Sequence, residues 1–217
     1  MGMAISSNDW QYLGNATFED VLVSHQAPPP ATLCPGDWMC NDVGYSLLPG
    51  SQVYNSGNWL LQGAGEDIAG TADQFHGVWQ TLSADGSVSA RVTSVENVDP
   101  FSKAGVMLRI GMDPGSPYFA VFSTPHQDLL VQYRETQGGN SAMDDFFVPT
   151  KLPLYLKVTR VGNIFKAFYS QDGINWTKIG TTKTINMPNK VFAGIAMTSH
   201  ATLQEGTATF DSVNTGN

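Results

Sequence analysis

The residues of this chain best suited to chemistry are polar side chains that stand opposite aliphatic ones in alternating runs. Gln74, His76 and Gln80 share one parity of their segment, and Phe75 and Trp79 hold the other, which reads as the inward one. Arg91, Arg109, Gln132 and Arg134 likewise stand opposite the aliphatic faces of their segments. Side by side in one sheet they would form a stripe of donors. Arginine offers a planar fork and glutamine both donor and acceptor, a combination suited to sugar hydroxyls and carboxylates. The same residues admit a structural reading, in which Arg91 and Arg109 pair with Asp67, Asp73 or Glu135 to satisfy a partly buried polar layer. Sugar rings also pack on exposed aromatic faces. Trp59, Tyr118 and the pair Phe146-Phe147 are open to that role, although residues of these types more often fill the core than contact a ligand. The glycan-binding candidates are therefore His76, Arg91, Arg109, Gln132, Arg134, Trp59 and Tyr118.

Catalytic constellations are harder to assemble. A glycosidase needs two carboxylates about 5–10 Å apart across the cleaved bond, and no Glu-x-Asp-x-Glu pattern occurs. Glu19, Glu66, Glu96, Glu135 and Glu205 are scattered, and the adjacent Asp144-Asp145 reads as a solvated loop. Ser199 and His200 are neighbours that would face opposite sides of a strand, and no Gly-x-Ser-x-Gly elbow exists. His76, Arg109 and His200 are what remains for a lyase-type site. A structural calcium ion is the other ligand to consider: Asp42 near the opening strand and Asp211 in the closing one could share it if the chain ends pair.

The elements that must position these residues are strands. Val88, Ala90 and Val92 alternate with Arg91; Val106, Leu108 and Ile110 with Met107 and Arg109; Leu154, Leu156 and Val158 with Tyr155, Lys157 and Thr159. Asp172-Gly173 between two such runs marks a hairpin. Val191, Ala193, Ile195 and Met197 form a further run, and Thr209 to Val213 closes the chain. No stretch sustains a period of 3.6. The reading is all-β, with two antiparallel sheets stacked as a sandwich.

Composition narrows the partners. With 11 basic and 19 acidic residues in 217, the formal charge is -8, and no Lys/Arg cluster is present in the sequence. Nucleic-acid binding through phosphate neutralisation is excluded on that balance, and no apolar run approaches a membrane span. The two cysteines, Cys34 and Cys40, flank a five-residue segment. They read either as a local disulfide, which implies an oxidising compartment, or as two free thiols.

One phrase recurs: Asn15-Ala16-Thr17-Phe18-Glu19-Asp20-Val21 resembles Thr207-Ala208-Thr209-Phe210-Asp211-Ser212-Val213. If it is the closing strand of a module, residues 1–26 hold a cloning remnant and the tail of a preceding module. Residues 27–33 are then a proline-rich linker, and 34–217 one complete module.

Several motifs, in order, carry a resemblance: Ala64 to His76, Gly86 to Val92, Lys103 to Arg109, Tyr169 to Thr177, Thr198-Ser199-His200 and the closing phrase. Over about residues 35–214 they resemble the concanavalin A-like, laminin-G-like jelly-roll modules appended to bacterial extracellular enzymes. That resemblance implies a jelly roll with one concave sheet, set beside glycoside hydrolases, lyases or other secreted domains. Two functions follow as expectations. One is a non-catalytic carbohydrate-binding accessory module of a secreted multimodular protein, binding a polysaccharide or glycan on the concave sheet. The other is a structural or adhesion module that contacts neighbouring modules of the same polypeptide. A polysaccharide lyase or glycosidase ranks behind both. Deleting residues 1–30 is expected to leave a folded monomer. Loss of a cooperative urea transition in that truncation would contradict the proposed boundary.

Overall fold

Alternation leaves each strand with one face that must be removed from water, and two sheets stacked face to face accomplish this. The computed structural model describes residues 34–126, 128–146 and 151–216. Among them are fourteen strands and no helix. The all-β, two-sheet antiparallel sandwich expected from the periodicity is the architecture observed.

The front sheet contains β1 (Met39–Val43), β4 (Phe75–Ser83), β6 (Lys103–Arg109), β7 (Tyr118–Ser123), β8 (Leu129–Arg134), β9 (Ala142–Phe146) and β13 (Lys190–Thr198). Its order is β1-β4-β13-β6-β7-β8-β9. The back sheet contains β2 (Ser51–Asn55), β3 (Asn58–Gly65), β5 (Gly86–Val95), β10 (Leu154–Val161), β11 (Ile164–Ser170), β12 (Thr177–Thr184) and β14 (Ala201–Gly216). Its order is β12-β11-β10-β5-β14-β3-β2. Between them lie the aliphatic residues picked out by parity: Val88, Ala90 and Val92 of β5, Val106 and Leu108 of β6, Leu156 and Val158 of β10, Ala193 and Ile195 of β13.

A second apolar layer covers the outer face of the front sheet. Phe75, Trp79, Met107, Tyr118 and Phe122 pack there with Val43 and with Ile68 from the connection between β3 and β4. Every residue of β6 and β7 is consequently buried. Glycine permits the packing: a Cβ at Gly77 would collide with the Trp79 indole, and one at Gly194 would lie 2.9 Å from Trp79 Cε3. The ring can lie across two adjacent strands only because both positions lack a side chain.

This layer reverses one expectation. Phe75 and Trp79 do share a parity, but they face outward, under the β3–β4 connection. Val78 and Leu82 face the back sheet, and Gln80, on their parity, accepts a hydrogen bond from Thr215 of β14. Both faces of β4 are covered, so hydrophobicity alone could not tell inside from outside. Asp144-Asp145 also differs from expectation: the pair lies in edge strand β9, laddered to β8, and not in a loop.

Cys34 and Cys40 are bonded, with Cα atoms 5.6 Å apart. The loop they close carries Trp38, which packs edge-on against Trp59 with centroids 5.3 Å apart. The repeated phrase at residues 15–21 and the proline linker lie outside the described residues. Chain-entropy arguments for so short a loop give a stabilisation of about 2 kcal/mol. Reduction is therefore expected to lower the urea midpoint by that amount divided by m, and an unchanged midpoint would show that the bond carries no load.

Candidate functional site

The front sheet's outer face is organised by one carboxylate. Asp73, just before β4, is fully buried. Its Oδ2 accepts Arg109 Nη1 at 2.6 Å and Arg134 Nη1 at 2.7 Å, and its Oδ1 accepts Arg134 Nη2 at 2.6 Å. Further guanidinium donors go to backbone carbonyls. Arg109 donates to Gly111, Asp113 and Pro114, and Arg134 to Ala69, Gly70, Pro114, Ser116 and Gly139. Tyr118 lies between the two cations, its ring centroid 5.7 Å from Arg109 Cζ and 5.1 Å from Arg134 Cζ.

Charge this deeply buried is sustained by its partners. Burial lowers the Arg109 pKa, with the Asp73 charge opposing it. Burial acts against the Arg134 charge too, but the Asp73 hydrogen bonds and attraction prevail, and its pKa is raised. Burial, reinforced by the Asp73 charge, drives the Tyr118 phenol well above its ordinary range.

The seven glycan-binding candidates therefore do not form one stripe. Arg109, Arg134 and Tyr118 have no exposed surface. Their donors serve the fold, as the structural reading of Arg109 with Asp73 anticipates. His76 lies between the sheets, with Nδ1 2.8 Å from Asp42 Oδ1 and Nε2 2.9 Å from Gln52 Oε1. Trp59 is core, 2 % exposed. Arg91 is in the other sheet, on its outer face, where Asp211 accepts Nε at 2.8 Å and Nη2 at 2.5 Å. That hydrogen bonding raises the Arg91 pKa and lowers the Asp211 pKa. Of the seven, Gln132 lines the cavity at the edge of this layer. Parity fixes which face of a strand a residue occupies; it is blind to the loop that covers that face.

The cavity has a volume of about 410 Å³ and opens beside the β3–β4 connection. Asp67 of that connection forms one wall, Lys103 at the start of β6 another, and His200 in the β13–β14 turn a third. Lys103 Nζ donates to Asp67 Oδ1 at 2.5 Å, and His200 Nδ1 stands 3.6 Å from Asp67 Oδ2 without a hydrogen-bond partner. Ser199 does not serve His200: its hydroxyl donates to Gln204 O at 2.6 Å and holds the turn. On the floor, Gln132 Nε2 donates to Ile68 O, which leaves Oε1 buried and without a partner. Phe101, 58 % exposed, meets the His200 ring edge-on at 5.5 Å, and Met143, also exposed, completes the rim.

A fixed carboxylate, an ammonium, an imidazole and an amide oxygen thus surround a space walled by one open aromatic ring. Such a set can hydrogen-bond hydroxyl groups and pack a flat apolar face. Phe101 and Met143 were not among the sequence candidates. A signal for Phe101 existed, a lone aromatic in the polar turn Asp99-Pro100-Phe101-Ser102. Lys103 shares the parity of Arg109 and could have been read from it. The Phe146-Phe147 pair lies outside the described side chains.

The proposed calcium ligands do not converge. Asp42 is in β1 of the front sheet and Asp211 in β14 of the back sheet, so the first and last described strands do not pair. Asp42 accepts Gly50 N at 3.1 Å as well as His76. Among the described residues no group of three or more His, Cys, Asp or Glu could hold a metal ion, so Asp42 and Asp211 do not fit the calcium role.

No protein-family model and no curated protein sequence matches this chain. Solved structures do. A functionally unknown protein from Saccharomyces cerevisiae is 13% identical over 82% of this chain and 94% of its own, with a TM-score of 0.61. The carbohydrate binding module CBM66 from Bacillus subtilis is 14% identical over 83% and 96%, with a TM-score of 0.54. The GH43 protein BlXynB from Bacillus licheniformis is 14% identical over 81% of this chain but only 35% of its own length, with a TM-score of 0.58. At these identities the likeness is one of fold, and the fold is the jelly-roll sandwich.

The network makes a sharp stability prediction. Replacing Asp73 with Asn removes the one anion that two buried guanidinium groups share, and the expected loss is about 3–5 kcal/mol. Urea unfolding that places the variant within about 1 kcal/mol of wild type would show that the backbone carbonyls alone suffice.

Proposed function

We propose that this protein is a non-catalytic carbohydrate-binding module that seats a glycan in the cavity beside Phe101. The observation that carries the proposal is the exposed Phe101 ring standing next to anchored polar groups and the unpartnered acceptor of Gln132. Small-ligand sites are typically clefts of roughly 300–1,000 Å³ with a few placed polar groups on an apolar wall, and this cavity has that character. The fold it shares with a carbohydrate-binding module supports the same reading. A sugar would lay its apolar face on Phe101 and direct hydroxyl groups to Gln132 Oε1, His200 and the Lys103–Asp67 pair.

Binding without turnover is the reading the carboxylates support. Hydrolysis of a glycosidic bond uses two carboxyl groups facing each other across it. Among the described residues lining this cavity, Asp67 is the one carboxylate, and Lys103 engages it. The Cys34–Cys40 bond fits an oxidising, extracellular setting. There the module would act as an accessory of a secreted bacterial multimodular protein, raising the effective concentration of its neighbours near a polysaccharide.

A glycan array followed by affinity electrophoresis tests this. Phe101→Ala is expected to weaken binding about tenfold, the scale of a lost aromatic contact, with thermal unfolding unchanged because the ring is largely exposed. A variant that binds as tightly as wild type would refute the assignment of the cavity. Absence of binding to any glycan would favour the structural or adhesion role.

A further inference from the structure

Away from the cavity, the charges of this acidic chain are divided unevenly. The contiguous strands β12, β11, β10 and β5 of the back sheet contain no aspartate or glutamate. They carry Arg91, Lys157, Arg160, Lys166, Lys178 and Lys183, six of the chain's 11 basic residues. Two of these point elsewhere: Arg160 is buried and donates to Met187 O and Pro188 O, and Lys183 lies over Tyr133 of the front sheet at 4.2 Å. The other four alternate with core residues of the same strands, Ala90, Val92, Leu156, Val158, Phe165, Ala167 and Ile179. They therefore project from the outer face.

Aromatic rings are interleaved with them. The ladders place Lys178 opposite Phe168, Phe168 opposite Lys157, and Tyr155 opposite Arg91. Trp176, half-buried, arrives over this face from the hairpin turn and meets Tyr155 edge-on with centroids 6.4 Å apart. Lys157 Nζ sits 3.6 Å from the Trp176 ring centroid. Among the described residues no carboxylate pairs with Lys157, Lys166 or Lys178. Lys157 is held instead on a π face, and burial lowers its pKa. Of the acids bordering the face, Asp211 is occupied by Arg91. Asp172 accepts the backbone N–H groups of Ile174 and Asn175 at 2.8 Å each, and those bonds hold its pKa well below the carboxylate range.

We propose that the outer face of β12-β11-β10-β5 is a second binding surface, for a linear polysaccharide bearing carboxylate or sulfate groups. Its anions would meet Lys157, Lys166 and Lys178, which have no carboxylate to displace, while the sugar faces rest on Trp176 and Tyr155. Cations on alternate strands stand about 10 Å apart across the sheet, a spacing suited to charges carried along a chain. Nucleic acid fits less well, because its phosphates are far denser and the remainder of the molecule is strongly acidic.

The test is titration of the full chain with polygalacturonate and with dextran sulfate at 50 and 200 mM NaCl, with neutral dextran as blank. Binding to either polyanion that falls with salt and weakens about tenfold in Lys157→Gln/Lys178→Gln supports the proposal, and the polyanion bound identifies carboxylate or sulfate as the group read. Trp176→Ala is expected to weaken the same binding, and Phe101→Ala to leave it intact, which separates this surface from the cavity. Thermal unfolding of each variant confirms that the fold is retained. No binding to either polyanion at 50 mM NaCl, or equal binding in the double lysine variant, would overturn the proposal. Equal affinity for polyglutamate or a single-stranded oligonucleotide would overturn it as well, by showing a surface that reads charge alone.

Discussion

Asp73 accepts hydrogen bonds from two buried guanidinium groups at once, and most of the front of the molecule depends on that shared carboxylate. Arg109 and Arg134 end strands β6 and β8, and their spare donors reach the carbonyls of the segments at 69–70, 111–116 and 139. Two cations and one anion in a dry layer would be unstable without those dipoles around them. The arrangement ties the β3–β4 connection down across the sheet. That connection in turn brings Asp67 to Lys103 and His200, so the cavity wall is a consequence of how the buried charge is satisfied.

The two sheets divide the work unequally. The front sheet is covered on both faces, by the back sheet on one side and by the β3–β4 connection with its Ile68 plug on the other. What the front offers a ligand is a recess at the rim of that cover. Across β5, β10, β11 and β12, the back sheet keeps its outer face in contact with water and decorates it with lysine, arginine and aromatic rings. A chain with a formal charge of -8 has thereby set apart a face of opposite sign. Strand alternation is the physical device in both cases, since it allows one strand to feed the core and a surface without compromise.

Much of this is legible in the sequence. Val88, Ala90 and Val92 against Arg91, or Leu156 and Val158 against Lys157, declare strand, core face and outer face together. Asp172-Gly173 announces its hairpin, and Gly173 takes the positive φ of 74° that the turn requires. The structural alternative for Arg109, pairing with Asp73, was also within reach of the sequence. The cavity was less so. Gln132 and His200 stand out in the sequence, but Phe101 and Met143 belong to separate segments that meet only in the folded chain.

The chain by itself determined that there would be strands, which residues of each strand would be apolar, and that two sheets would have to stack. It did so because side-chain direction along a strand is local and repeats every second residue. Tertiary structure alone decided whether the polar side of a strand would see water. His76, Arg109 and Arg134 have the polarity of a binding surface, yet they are interior groups, because Asp73, Asp42 and a set of loop carbonyls arrive from distant parts of the sequence to meet them. Burial of a polar residue is a property of what covers it, and that cover is built from long-range contacts that no local pattern encodes.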